Sequence, residues 1–341
     1  MLNPTDRDGA SAPLPIGRGW YLALYSEELP IGGVKALEYV GRQLAAFRGQ
    51  DGQAALVDAH CPHLGAHLGV GGKVVGEALR CPFHGWEWER SGRCRLIPYS
   101  DRIPSGAQLR NYPVIERNGA LWFWYDPAGA APGFEVPLLP EWGDPEYGTQ
   151  WGRYVWTIRT HPQDILENGI DFPHSLPVHG FDAPRNPVSA FEGPLYRWGA
   201  ETGKEIELLD RRRESFSFHV DTWGLGVSHV RYRGLFSVVF QIGHTPVDEW
   251  TTRLTFSVLT RERDRRDPEI ASALRRYEAD NVRTLEQDFP IWENKCYRER
   301  PLLCEGDGPI QEFRRWARQF YLPTYSAAKE AEISASPTTA A

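Results

Sequence analysis

Two short stretches, CPHLGA at residues 61–66 and CPFHGW at residues 81–86, determine how the first half of this 341-residue chain is interpreted. Each stretch places a cysteine two or three residues before a histidine. Two loops of this kind can hold one metal centre, because each loop supplies one thiolate and one imidazole. The candidate ligands are Cys61, His63, Cys81 and His84.

Two kinds of metal centre accept this set of donors. A tetrahedral zinc ion binds two cysteines and two histidines. In a Rieske [2Fe–2S] cluster, the cysteines bind one iron and the histidines bind the other. Gly65, Pro82 and Gly85 favour the cluster, because glycine and proline let two loops close over a bulky inorganic core. Zinc fingers place their histidines on a helix, and no helical pattern surrounds His84. We therefore expect a [2Fe–2S] cluster, with structural zinc as the alternative.

The sequence around these loops predicts a small antiparallel β domain. Short β-like runs are separated by glycines, and no useful helical period appears before about residue 160. Asn118-Gly119 is typical of a hairpin turn, which here leads into Ala120–Tyr125. The other clear runs are Tyr21–Tyr25, Val34–Val40, Gln43–Phe47 and Ala54–Val57.

The second half predicts a broad antiparallel sheet with helices, so the fold class expected for the whole chain is α+β. Long alternating runs at Ser215–Val220, Gly234–Ile242 and Trp250–Leu259 predict the strands. Asp164 to Asp171 has helical character and ends near Pro173. A late helix begins at Asp267-Pro268. Its apolar face contains Ile270, Leu274, Tyr277, Val282, Leu285, Phe289 and Trp292.

Composition changes along the chain predict five segments. Both ends are polar, and the segment between the two domains is rich in proline, glycine and acidic residues. The predicted segments are a disordered lead-in (1–16), a Rieske domain (17–126), a connector (127–149), a catalytic domain (150–325) and a disordered tail (326–341).

The segment from Glu167 to His179 contains a second candidate metal site. Two histidines and one carboxylate form the facial triad of non-haem Fe(II) oxygenases. His174 and His179 are five residues apart, which on an ideal helix is about 140° of rotation. We expect Pro177 to break the helix and bring both rings to one side. Two unrelated loop histidines are the alternative.

The third ligand has to come from elsewhere, and the late helix offers acidic candidates. Asp288 lies about 60° from Leu285 on the helical wheel, whereas Glu286 and Glu293 lie about 80–100° away on the other side. Periodicity therefore favours Asp288 modestly. A solvated acid at the helix edge is the alternative.

Composition excludes some classes of partner and location. A net charge of −7 argues against nucleic acid and anionic membranes. No apolar run reaches the roughly 18–20 residues of a membrane span, and residues 1–15 lack an apolar signal region. Five cysteines show no disulfide framework, so a reduced, cytoplasmic protein is expected. His60, His67 and Cys94 are interpreted as structural.

The combined motifs resemble the Rieske oxygenase family, and within it the steroid-acting branch of 3-ketosteroid 9α-monooxygenase oxygenase components and cholesterol 7-desaturases. The resemblance covers roughly residues 17–325. The general motifs are Cys61-x-His63, Cys81-x-x-His84 and Asp171-x-x-His174-x-x-x-x-His179. Branch-level similarity includes residues 58–66, 94–99, 287–295, 301–303 and 314–321.

The resemblance implies a ligand set and an electron path. Asp288 would be the third iron ligand, and Asp171 would be the acid that bridges cluster and iron. Spacing also suggests that the Asp171 carboxylate accepts the His174 ring N–H that does not bind iron. Family members are head-to-tail trimers, in which the cluster of one subunit passes electrons to the iron of its neighbour. Animal 7-desaturases carry a membrane anchor before the Rieske domain, and no such anchor is visible here.

The resemblance also implies the type of cluster. Respiratory-chain Rieske proteins brace their cluster with a disulfide and with a serine that donates to a cluster sulfur. Ala66, Phe83 and Trp86 occupy those places here. Losing a hydroxyl donor lowers the reduction potential. A low-potential cluster of the oxygenase type is therefore expected.

The expected activity is hydroxylation of a steroid-like apolar substrate with O₂. Electrons would come from an NAD(P)H-dependent flavin/iron–sulfur reductase, or from a ferredoxin and its reductase. The alternatives are a cholesterol 7-desaturase-like activity and oxidation of another bulky apolar or aromatic substrate. A Rieske electron carrier without catalysis and a zinc-stabilised binding module are the competing classes.

Overall fold

The computed structural model describes residues 14–180, 185–202, 216–233, 236–323 and 325. Most of the predicted lead-in and the whole predicted tail lie outside these residues, as do the first residues of the runs predicted at 215 and 234. The lead-in prediction is wrong for its last residues. Leu14 and Ile16 are buried, because their apolar side chains pack into the folded chain.

Three antiparallel sheets form the first part of the chain, as the sequence predicts. Their strand orders are β1-β11-β10, β2-β3-β4-β9 and β5-β6-β7-β8. The strands are β1 (Gly19–Tyr25), β2 (Val34–Tyr39), β3 (Arg42–Arg48), β4 (Ala54–Asp58), β5 (Lys73–Val75), β6 (Ala78–Arg80), β7 (Glu87–Trp88), β8 (Cys94–Leu96), β9 (Asn111–Tyr112), β10 (Val114–Arg117) and β11 (Ala120–Tyr125).

The turn between β10 and β11 is the hairpin predicted from Asn118-Gly119. Both residues have positive φ, 53° and 73°, which matches the twist of a two-residue hairpin. The Asn118 side chain donates to the Gln241 side chain at 3.1 Å and accepts from the Leu139 N–H at 3.0 Å. This turn therefore ties the connector and the second sheet to the first part of the chain.

A seven-stranded antiparallel sheet dominates the second part, in the order β12-β18-β17-β16-β15-β14-β13. The fold class predicted from the sequence is confirmed, although β12, β13, β14 and β16 were not predicted. One sheet face packs against β1, where Trp20 and Leu22 meet Val227 and Val239. The strands are β12 (Gly152–Ile158), β13 (Arg185–Glu192), β14 (Leu195–Thr202), β15 (Phe216–Trp223), β16 (Val227–Arg233), β17 (Val238–Pro246) and β18 (Thr252–Thr260).

Helices pack against the other face of this sheet. The α-helices of the described residues are α1 (Pro162–Asn168), α2 (Ser175–His179), α3 (Glu262–Arg266), α4 (Pro268–Glu286), α5 (Phe289–Asn294) and α6 (Ile310–Ala317). Among them, α4 packs against the sheet through Leu274 and Tyr277, which share a core with Val220 and Val230. Within the described part of the chain, no helix combines the length and apolar character needed to cross a membrane.

The predicted late helix is wrong in one respect, because it is two helices. The helix α4 ends at Glu286, and Asp288 is the N-cap of α5. Pro290 explains the break, since it has no N–H for the bond to residue 286 and its ring clashes with that carbonyl. Phe289 and Trp292 therefore belong to a second, separate helix.

Candidate metal centres

Two loops of the same shape carry the four candidate cluster ligands. In the first loop, the Cys61 N–H donates to the Ala66 carbonyl at 2.9 Å, and the Cys61 carbonyl accepts from the Gly65 N–H at 2.9 Å. The second loop repeats both bonds from Cys81, at 2.8 and 3.2 Å. Gly65 and Gly85 have φ of 77° and 73°, a left-handed conformation that favours glycine.

The donors of these loops face one another. The sulfurs of Cys61 and Cys81 are buried with their residues, and the ring centroids of His63 and His84 are 4.6 Å apart. Burial raises the pKa of the Cys61 thiol to about 11, and a bound metal would reverse this by stabilising the thiolate. The Nδ1 of His84 is buried without a hydrogen-bond partner among described residues. The two loops thus present ligand atoms, including an unpartnered imidazole nitrogen, to a metal centre between them.

The spacing of these donors distinguishes a cluster from a zinc ion. Adjacent ligands of a tetrahedral zinc lie roughly 3.4–3.8 Å apart, as its bond lengths require. Among the described residues, no three of these four donors lie within 4.8 Å of one another. A larger group with two metal atoms therefore fits the space better than one ion.

Trp86 occupies the place where a serine would donate to the cluster. Its ring stacks on His63 at 4.7 Å with an interplanar angle of 10°. Its Nε1–H donates to the Tyr99 hydroxyl at 2.8 Å. Trp86 therefore packs against the candidate ligand His63, and its only hydrogen-bond donor is used by Tyr99.

The other cysteine and histidines near the loops make structural contacts. His60 bonds to Gln43 at 2.7 Å, and His67 Nδ1 accepts from the Gly69 N–H at 3.1 Å. Cys94 is buried and its thiol donates to the Leu96 carbonyl. These contacts agree with the structural role predicted for them.

The second site gathers His174, His179 and Asp288, whose ligand atoms all lie within 4.8 Å of one another. The two Nε2 atoms are 3.1 Å apart. The Oδ1 of Asp288 is 3.5 Å from His179 Nε2 and 3.9 Å from His174 Nε2. Asn168 donates to Asp288 Oδ2 at 3.1 Å. Two imidazoles and a carboxylate at this spacing are the donor set of a non-haem iron site.

Hydrogen bonds on the far side of each ring determine where the protons lie. His174 Nδ1 contacts the Asp171 carbonyl, and His179 Nδ1 contacts Gln287 Oε1 at 3.0 Å. Both partners are acceptors, so each Nδ1 carries the proton and each Nε2 keeps its lone pair. Two lone pairs and a carboxylate therefore converge on one point, which suits a cation.

Asp288 is a buried acid, with 5% of its surface exposed. Burial raises the pKa of Asp288 to about 6, and the nearby Asp171 carboxylate adds to the rise. His174 and the Asn168 amide oppose it. A buried carboxylate is costly unless it is paired, and a divalent cation would supply that pairing.

Pro177 does not break the helix, so that expectation was wrong. It lies in the first turn of α2, where its missing N–H costs no hydrogen bond. His174 instead ends a 3₁₀ turn, Phe172–His174, that precedes α2. The change from a 3₁₀ turn to an α-helix alters the rotation per residue, so the two rings meet at a spacing that a uniform helix would not allow.

The prediction that the Asp171 carboxylate orients His174 was also wrong. The backbone carbonyl of Asp171 takes that role, because the 3₁₀ turn places this carbonyl beneath the ring. The Asp171 carboxylate itself makes no hydrogen bond or ion pair with a described residue. Sequence reasoning also missed Asn168 and Gln287, although each lies within a stretch already singled out.

An apolar cavity of about 270 Å³ opens beside this second site. The volume is near the lower end of the roughly 300–1,000 Å³ range for small-molecule pockets. His174, His179 and Asp288 form part of its wall, so a ligand in the cavity would lie next to a bound metal. Most other lining residues are apolar and come from the sheet and from α4, including Val220, Val230, Phe240, Ile242, Phe256 and Leu285.

Comparison with known protein families identifies the family of this chain. Residues 19–113 match the Rieske [2Fe-2S] domain, and residues 123–321 match the 3-Ketosteroid 9alpha-hydroxylase C-terminal domain. The chain belongs to the Rieske oxygenase family. It is therefore an oxygenase that carries a [2Fe–2S] cluster and Fe(II), and the oxygenase components of this family work with a separate reductase.

Curated relatives and solved structures agree with this family. This Rieske oxygenase is 31% identical to a probable 3-ketosteroid-9-alpha-monooxygenase oxygenase component of Rhodococcus rhodochrous, over 92% of this chain and 82% of the relative. It is 33% identical to cholesterol 7-desaturase of Bombyx mori, over 92% and 72%. Dicamba monooxygenase bound to dicamba shares the fold, with a TM-score of 0.72 at 21% identity over 93% of this chain and all of that one.

Proposed function

We propose that this enzyme is a steroid hydroxylase similar to 3-ketosteroid 9α-hydroxylase, which inserts one oxygen atom of O₂ into an unactivated C–H bond. The observation that carries the proposal is the apolar cavity whose wall contains His174, His179 and Asp288. A rigid hydrocarbon skeleton fits apolar walls of this kind. The family match over residues 123–321 and the steroid-acting relatives support the same substrate class.

In the proposed site, His174, His179 and Asp288 bind the Fe(II), while Cys61, His63, Cys81 and His84 bind the cluster. When bound, these groups would supply the electron transfer and the O₂ chemistry of the reaction. Asn168 holds the Asp288 carboxylate by its amide N–H at 3.1 Å. The Asp171 carbonyl and Gln287 fix the ring orientations of the two histidines. Apolar cavity walls exclude water and hold the substrate against the metal.

We also propose a homotrimer in which Asp171 connects the cluster of one subunit to the iron of the next. Two features support this arrangement. The Asp171 carboxylate makes no hydrogen bond within the described part of the chain, so both its oxygens are available to a neighbour. Leu64 and Phe83, which flank the cluster ligands, are 65% and 62% exposed. Exposed apolar side chains around a redox centre suit a protein interface.

The electron donor in this proposal is an NAD(P)H-dependent flavin/iron–sulfur reductase, or a ferredoxin with its reductase. The proposed location is the cytoplasm. All five cysteines are free thiols in the structure, which suits a reducing compartment.

A sterol desaturase is the second candidate, favoured by the similarity to cholesterol 7-desaturase. Both reactions begin with removal of a hydrogen atom, so the metal site alone does not separate them. Mass spectrometry of products does. The purified enzyme would be incubated with a panel of steroids, a reductase, NAD(P)H and O₂. Hydroxylation adds one oxygen atom, and desaturation removes two hydrogen atoms. Failure to alter any steroid in the panel would contradict the proposal.

A further inference from the structure

Three polar side chains lie near one end of the sheet face that lines the cavity. Thr222 on β15 and Ser228 on β16 are cross-strand partners, and their hydroxyl oxygens are 2.9 Å apart. His244 lies on β17, the strand next to β16, near the same end of the sheet. All three are buried and line the cavity. Val230 and Ile242, their neighbours on the same strands and face, are apolar.

His244 is a neutral ring with unused hydrogen-bonding capacity. It is 3% exposed, and burial lowers its pKa to about 3, with only the Gly226 carbonyl acting in the opposite direction. A neutral imidazole has one donor nitrogen and one acceptor nitrogen. Its Nδ1 is buried without a partner among the described residues. Such a group is costly to bury unless something in the cavity bonds to it.

Asn281, Thr284 and Asn168, three other polar residues of the cavity wall, are already engaged. The Asn281 amide donates to the Tyr277 carbonyl, and the Thr284 hydroxyl donates to the Asp280 carbonyl, both at 2.8 Å. Asn168 donates to Asp288. In the Thr222–Ser228 pair, the mutual bond uses only one of the two hydroxyl protons. The cluster of Thr222, Ser228 and His244 therefore keeps donors and acceptors for a ligand.

We propose that His244, together with Thr222 and Ser228, binds one oxygen atom at the end of the substrate. This contact would determine which C–H bond faces His174, His179 and Asp288. The inference rests on the proposed function, since it assumes a substrate with an apolar skeleton in this cavity. It adds a polar anchor to that substrate and a residue that sets the position oxidised.

The chemistry of the anchor restricts the oxygen to a hydroxyl or carbonyl group. A carboxylate would need a positive partner in a buried site, and no Lys or Arg is among the described residues that line the cavity. His244 is itself neutral, so it provides a hydrogen bond without a charge. A hydroxyl group suits the anchor better than a keto group, because it can donate to the ring nitrogen as well as accept from the Thr222–Ser228 pair, and it leaves no buried charge.

Binding measurements on the holoenzyme test this inference. The probes are a steroid with a hydroxyl group at each end of its ring system and two analogues that each lack one hydroxyl group. Removing the hydroxyl group that contacts His244 should weaken binding to the wild type about tenfold. In His244→Phe, which keeps an aromatic ring but no donor or acceptor, this loss should be clearly smaller, because only the Thr222–Ser228 pair still contacts that group.

Two further variants separate a specific contact from a general loss of packing. His244→Gln keeps a donor and an acceptor and should restore much of the preference for the oxygen-bearing ligand. Ile242→Val lies two residues away on the same strand and should weaken all three ligands equally. The visible spectrum of the cluster reports that each variant is folded.

The results of these measurements distinguish failure of the polar anchor from failure of the proposed function. If the wild type oxidises steroids and His244→Phe keeps the wild-type preference, the anchor is overturned and the proposed function stands. The anchor is also overturned, and the proposed function again stands, if the wild type oxidises steroids but binds all three ligands equally. If the wild type neither binds nor oxidises any of them, the proposed substrate class fails, and the anchor fails with it.

Discussion

The Nε2 atoms of His174 and His179 lie 3.1 Å apart, with both lone pairs directed at the same point. Two acceptors at this distance repel each other unless a cation or a donor lies between them. Neither ring can relieve this repulsion by moving its proton to Nε2, because the Asp171 carbonyl and Gln287 hold the ring protons on the far nitrogens. The Asn168 amide nitrogen, 3.3 Å from His174 Nε2, offsets part of this repulsion, and a cation bound by both rings would remove it.

Replacing one of these histidines should remove one metal and spare the other. In His174→Ala, iron per chain should fall from about three atoms to about two, with turnover lost and the cluster still reducible. Iron analysis with electron paramagnetic resonance measures both quantities. The matched control is His219→Ala, which removes an exposed histidine bonded to Asp221 and should keep all the iron. Loss confined to the cluster iron would contradict the assignment.

Replacing a cluster cysteine should remove the Rieske signal. Cys81→Ser should abolish or alter the electron paramagnetic resonance spectrum of the reduced cluster, because it changes one of four ligands. Cys94→Ser is the matched control. Its hydroxyl can still donate to the Leu96 carbonyl, as the thiol does, so its spectrum should match the wild type. An unchanged spectrum in Cys81→Ser would show that the ligand set is wrong.

The proposed bridge at Asp171 predicts a defect in electron transfer rather than in metal content. Asp171→Asn keeps the backbone carbonyl that orients His174, so iron and cluster should be near normal. Turnover should fall by about two orders of magnitude or more, since the charge that links neighbouring subunits is lost. Asp171→Glu keeps the charge and should retain more activity. Rapid mixing would locate the defect, and a wild-type rate of cluster oxidation in Asp171→Asn would refute the bridge.

The sequence predicted features that depend on residues close together in the chain. Cys61, His63, Cys81 and His84 lie on loops whose shape is set by local glycines, so their spacing was enough to propose them as candidate ligands. The hairpin at Asn118-Gly119 was equally local. Strands such as β13 and β14 were missed, because their pairing depends on neighbours in the sheet rather than on their own pattern.

Asp288 illustrates what a sequence pattern does not contain. On a continuous helix this residue would lie beside the apolar stripe, which is why periodicity favoured it only modestly. The chain actually leaves α4 before Asp288 and enters α5 after it, and the carboxylate is buried next to the histidines. Similarly, Ser228 and His244 line the same end of the cavity because β16 and β17 pair, so this polar end could not be predicted.

Buried histidines should make the stability of the enzyme depend on pH. Burial lowers the pKa of His161 to about 4, against about 6.5 in an unfolded chain. The unfolded state therefore binds more protons between these values, and the free energy of unfolding falls as pH falls through this window. His229 and His244, with pKa values lowered to about 3, act in the same direction.

His161→Asn isolates one of these contributions. Asparagine can still accept the Gln163 N–H that His161 Nδ1 accepts at 3.1 Å, so the start of α1 keeps its cap. Between pH 6 and 5, the free energy of unfolding of this variant should fall less steeply than that of the wild type, by about 1.2 kcal/mol per pH unit. Urea titrations followed by tryptophan fluorescence give both slopes. Equal slopes would mean that His161 is protonated in the folded protein.

The most direct test of the whole account asks whether a steroid binds next to the mononuclear iron. Nitric oxide bound to Fe(II) gives an electron paramagnetic resonance signal that is sensitive to ligands beside the metal. Because His174, His179 and Asp288 form part of the cavity wall, adding a steroid should change this signal in the wild type. The control variant His174→Ala should bind no mononuclear iron and should therefore give no such signal. A steroid that binds tightly but leaves the wild-type signal unaltered would contradict the account, because the substrate would then lie away from the iron.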